Sequence, residues 1–158
     1  MKNLPSLAIA CALLIAGTSV QAAETFSIVQ DMPKLTDIDL GEDGPSHADM
    51  LAFEASFTAE DGAKGIISGL ITTVDIAVGA DDAFHDRIAN IVLDFGGIDT
   101  LVVGGKSIYV VGNLEMNVDA PQVRAITGGT GRFVGARGQI TTARRDAGHY
   151  EHKIELVD

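Results

Sequence analysis

The sequence predicts an all-β fold, a closed antiparallel β-barrel of eight or nine strands, on three observations. Apolar residues recur in short runs punctuated by Gly, Asp and Asn, while long 3.6-residue periodicity is hard to find. Glycine is abundant beyond residue 22, at about one residue in eight, against the ~7% of an average chain. The runs are joined by short loops, so a closed or nearly closed barrel is favoured over an open sheet with bare edges. A two-sheet sandwich is the alternative architecture.

The first 22 residues stand apart from this pattern. Lys2 supplies a positive start, residues 7–16 are uncharged and apolar, and Val20 and Ala22 place small residues before a cleavage site. The apolar run is shorter than the ~20 residues that span a bilayer, and no later run approaches that length. A lipoprotein reading through Cys11 would leave Leu13-Leu14-Ile15 on the new N-terminus and lacks the usual leucine three residues earlier. Residues 1–22 therefore read as a cleaved signal peptide, and residues 23–158 as a single domain exported to the periplasm or beyond. That domain has no cysteine, so disulfides and cysteine zinc sites are excluded. Its size suffices to bury a core without such staples.

Strands follow at close spacing. Residues 25–30 form the first, and residues 31–45, with Pro33, Gly41 and Gly44, read as a loop. Residues 47–58 alternate, with Leu51, Phe53, Ala55 and Phe57 on one face and Ala52, Glu54 and Ser56 on the other. Glu60-Asp61-Gly62 is a hairpin signal. Strands are then expected over 64–78, 86–95, 98–103, 106–112, 114–127, 138–143 and 149–157, the last two joined by a turn at 144–148.

Thr127-Gly128-Gly129-Thr130-Gly131 invites a dinucleotide-binding reading. The spacing fails, because Val134 stands where the third glycine belongs, and no βα units follow. A structural turn whose glycines allow close backbone approach fits better. Residues 124–138 (Arg-Ala-Ile-Thr-Gly-Gly-Thr-Gly-Arg-Phe-Val-Gly-Ala-Arg-Gly) resemble the C-terminal signature of the plant dirigent proteins and allene oxide cyclases, which share one barrel architecture. Looser similarity extends over residues 47–157. The resemblance implies an eight-stranded antiparallel barrel with an apolar cavity, assembled as a homotrimer. The glutamate that the cyclases carry in the first strand is missing from Phe26-Ser27-Ile28-Val29-Gln30, and Ile71 or Thr72 replaces their third-strand cysteine. Dirigent proteins are similar in placing an acid at the end of strand one, where Asp31 stands.

Two carboxylates are candidate catalytic residues. Asp31 can face the cavity mouth as a proton donor or acceptor, or be a solvated loop aspartate before Pro33. Glu54 has parity opposite to Phe53 and Phe57. It lies outside if the phenylalanines fill the cavity; it points inward, with a raised pKa suited to acid–base work, if they pack an oligomer interface. Asp75 and Asn90 are further candidates of the same kind. His149 and His152 are three apart on one strand, so they face opposite sides and cannot share a metal; both read as surface histidines. The acidic stretch 37–48 lacks the glycine and the final glutamate of a calcium loop. No serine sits in a nucleophile-elbow pattern, and no cofactor or metal is implied.

The formal charge of −11 repels phosphate backbones and anionic lipid, which disfavours nucleic-acid binding. The expected partner is a small hydrophobic molecule. Three functions remain open: steering the cyclisation or isomerisation of that molecule, carrying it without chemistry, or a purely structural role. An open apolar cavity with a polar group projecting into it favours the first, a cavity without one the second, and a filled interior the third.

Overall fold

The computed structural model describes residues 24–76 and 84–157, so the expectation of a signal peptide at 1–22 falls outside the described residues. Nine strands follow in order: β1 Thr25–Gln30, β2 Lys34–Ile38, β3 Met50–Ala59, β4 Lys64–Asp75, β5 Phe84–Asp94, β6 Thr100–Val110, β7 Gln122–Thr130, β8 Arg137–Arg144 and β9 Tyr150–Val157. From β3 to β9 each strand pairs antiparallel with the next, β9 pairs with β1, and β1 pairs with β3 to close the ring. β1 lies along the end of β3 (Gln30↔Phe57) and β2 along its start (Lys34↔Glu54). These two strands share one position in the wall, broken at residues 31–33, so nine strands build a closed eight-stranded barrel. Among the described residues no helix is long and apolar enough to cross a membrane.

Three element boundaries differ from the sequence expectation. Residues 31–45 contain β2, which has only Leu35 and Ile38 half-buried among exposed neighbours and so lacks a clear apolar alternation. Residues 98–103 and 106–112 belong to one strand, β6. Gly104-Gly105 looks like a turn signal, yet it sits in the ladder opposite Asn90 and Ala89. Gly105 has φ 150°, a conformation that favours glycine, at ordinary contact distance from Arg124 of the next strand. The expected strand over 114–127 begins only at Gln122, and residues 111–121 form a cap over one end of the barrel.

The glycine motif is a structural clamp. Thr127 is the extra residue of a bulge, since Val102 faces Gly128 while Val103 faces Ile126. A β-carbon on Gly129 would come within 2.5 Å of the Thr100 carbonyl oxygen. Gly131 has φ 59°, and a β-carbon there would overlap the Asp99 carboxylate. That carboxylate accepts the Arg132 backbone N–H at 3.0 Å. The motif thus binds the β5–β6 hairpin to the β7–β8 turn, and no nucleotide is needed to explain it.

The two ends of the barrel are chemically different. At one, Phe26, Phe57, Phe95 and Phe133 meet with ring centroids 5.1–6.4 Å apart. Gly65 leaves room for the Phe57 ring, and the Arg132 guanidinium lies 4.6 Å from the Phe133 centroid. This end is packed shut. At the other, inward positions carry polar side chains.

Candidate functional site

Strand alternation that buries Ile154 and Ile140 also turns Tyr150, His152 and Thr142 inward from β9 and β8. Arg124 enters from β7, Ser107 and Tyr109 from β6, and Gln30 from the end of β1. Below and beside them lies an apolar wall that includes Ile67, Ile71, Ile91 and Val103. Leu114 and Met116 of the cap and Pro33 and Leu35 beyond the β1 break complete the enclosure. The space open to the centres of water-sized spheres is about 40 Å³, where one water needs ~10–15 Å³.

His152 corrects the expectation of a surface histidine: it is 4% exposed, inside the barrel. Its Nε2 lies 2.9 Å from Gln30 Oε1 and its Nδ1 3.0 Å from Thr142 Oγ1. With Gln30 Oε1 as acceptor, Nε2 carries the proton and Nδ1 accepts from the threonine hydroxyl. Burial, aided by the nearby Arg124 charge, lowers its pKa to about 3, so the ring is neutral at pH 7. His149 faces the other way, half-exposed, 3.6 Å from Glu151.

Arg124 is also 4% exposed. Its Nε donates to Ser107 Oγ at 2.8 Å and one terminal nitrogen to Gln122 Oε1 at 3.3 Å. Burial raises the pKa of Tyr109 and of Tyr150, in both cases against nearby arginine charge, so both phenols are protonated at neutral pH and available as hydrogen-bond donors. The Arg87 guanidinium lies 4.8 Å from the Tyr109 ring centroid, outside the cavity lining, with Nε and one terminal nitrogen unpartnered. The cap is fixed to the β8–β9 corner: Arg144 pairs with Glu115 at 2.6 Å and Arg145 with Asp119 at 2.7 Å. Met116 is 3% exposed, driven into the cavity mouth.

The carboxylates singled out by the sequence sit elsewhere. Asp31 is exposed at the β1 break, its backbone N–H donating to Ser56 O, while its neighbours Gln30 and Pro33 reach the cavity. The phenylalanines of β3 face inward, and Glu54 is exposed on the outer wall, accepting from Ser68 Oγ at 3.0 Å. The structure does not bring these two acids together or onto the cavity wall. Asp75 and Asn90 are exposed as well. Among the described residues no three potential metal ligands cluster.

No family profile and no curated protein matches the chain by sequence. Solved structures do match by shape. A pyocyanin demethylase superposes with TM-score 0.62 at 19% identity, over 86% of this chain and 100% of its own. A nonspecific heme-binding cyclase that catalyses a (4 + 2) cycloaddition in neoabyssomicin biosynthesis gives 0.60 at 15% identity, over 90% of this chain and 67% of its own. A pterocarpan synthase dirigent protein gives 0.56 at 17%, over 85% and 83%. The chain has the closed barrel fold of dirigent and cyclase proteins, as residues 124–138 imply. The likeness is one of fold.

Proposed function

We propose that this protein binds a small hydrophobic molecule in the cavity under the 111–121 cap and steers its cyclisation or isomerisation. The observation that carries this reading is the asymmetric interior: one end shut by phenylalanine, the other an apolar-walled cavity edged by Tyr109, Tyr150 and Arg124. Apolar walls select conformers, and protonated phenols donate to an oxygen of the ligand, so the chemistry rests on positioning rather than on a covalent step. Protein export through the leader belongs to the same proposal. A carrier would need the walls alone; the buried polar edge favours the steering role.

The neutral dye N-phenyl-1-naphthylamine tests it. Saturable fluorescence enhancement with about one site per chain is expected, and Met116→Ala, which opens the mouth, should tighten binding several-fold. A well-folded protein that binds no dye would leave only the structural role. Asp31→Ala and Glu54→Ala should retain dye binding; loss of turnover in either would assign that carboxylate an acid–base step.

The proposal includes a homotrimer. The outer face of β4–β6 exposes Ile66, Leu70, Val74, Ile88, Val92 and Ile108, each 38–45% accessible. These apolar side chains alternate with polar cross-strand partners such as Asn90, Asp94 and Lys106, and an apolar-rich outer face of this kind suits an interaction surface. Light scattering at micromolar concentration should give the mass of three chains, and a monomeric mass would remove the trimer.

A further inference from the structure

We propose that the ligand is an apolar carboxylic acid whose carboxylate is received by Arg124; this rests on the cavity being the binding site. The guanidinium borders the cavity and is almost wholly buried, yet each of its hydrogen-bonding partners is neutral: Ser107 Oγ at 2.8 Å, Gln122 Oε1 at 3.3 Å and the Met116 thioether at 3.9 Å. Among the described residues no carboxylate lies within ion-pair distance of Arg124. A buried charge without a counterion is costly, and an incoming anion removes that cost.

The surrounding charges point the same way. Glu115, the acid on the cap nearest the mouth, is taken by Arg144 at 2.6 Å. Arg87 stands across the Tyr109 ring, outside the cavity lining. Its own acidic neighbours, Asp37 and Asp49, act on it from outside the cavity wall. His152 is neutral and engaged on both ring nitrogens. Among the described residues lining the cavity Arg124 is thus the one cation, with no acid beside it in that lining, in a chain whose formal charge is −11. A planar guanidinium matches a carboxylate with paired N–H donors. The thioether of Met116 is a weak acceptor that a carboxylate oxygen outcompetes. Ile67, Ile71, Ile91 and Val103 offer the apolar body its surface.

The test displaces N-phenyl-1-naphthylamine from the full-length mature protein at pH 7 with 2-naphthoate and with 2-naphthamide, which share a ring system and differ in charge. The acid is expected to bind roughly ten- to a hundredfold tighter than the amide. Arg124→Gln should bring the ratio near one, and Arg124→Lys should keep part of it. The wild-type ratio stands whether or not either variant folds. Equal affinities, or a preference for the amide, with the dye still bound would overturn this inference and leave the cavity as the site. Absence of dye binding would overturn both.

Discussion

Lowering the pH from 7 to 4 is expected to cost the barrel roughly 3 kcal/mol through His152 alone. In the folded chain its pKa lies at about 3, below the ordinary 6.5. Above pH 6.5 the ring is neutral in both states and contributes no slope. Below it the unfolded chain takes up a proton that the folded chain refuses, so stability falls with pH until the folded pKa is reached. The lowered carboxylates Asp49, Glu151 and Glu155 add to the acid sensitivity, but they are common to the wild type and His152→Gln. Urea midpoints at pH 7, 5.5 and 4 should therefore diverge between the two proteins, the variant losing less on acidification. Parallel curves would mean that His152 accepts a proton without leaving the interior.

Phe57→Ala is expected to lose about 3–5 kcal/mol, the range for removing a buried phenylalanine. The side chain is 1% exposed, its ring meets Phe95 at 5.1 Å, and it lies over the bare backbone of Gly65. The closed ladder around it prevents collapse, so a cavity remains. Urea unfolding should show a lower midpoint at unchanged slope, while the dye affinity of the folded protein stays the same, because the two ends of the barrel are separate. A loss below about 1 kcal/mol would show that the phenylalanine end repacks freely.

The sequence was most legible where alternation or steric necessity acts locally. β1 and the shared face of Phe53 and Phe57 follow from two-residue periodicity, and the turn at residues 60–62 from its Asp-Gly pair, whereas the sequence leaves the direction of that face open. Gly129 and Gly131 carry a recognisable signature because their neighbours, Thr100 and Asp99, leave no room for a side chain. Legibility failed where the decisive contact is distant. Gly104-Gly105 looks like a turn until its pairing with Asn90 and Ala89 of β5 is seen. β2 is marked by little more than Leu35 and Ile38. His152 shares parity with Ile154, which could have placed it inside. Thr142 is its cross-strand partner in the β8–β9 hairpin, but nothing local reveals Gln30, 122 residues away, as the other. Arg124 opens the glycine signature, and its burial against Ser107 is a fact of the closed ring.

The central claim, an apolar ligand inside the barrel end, is tested most directly by isoleucine methyl resonances during titration with 2-naphthoate. Ile67, Ile71, Ile91 and Ile140 line the cavity, whereas Ile66, Ile88 and Ile108 are on the outer wall. The first four are expected to shift together and saturate at one ligand per chain while the outer three stay still. Shifts confined to Ile66, Ile88 and Ile108, or no shifts at all, would contradict it.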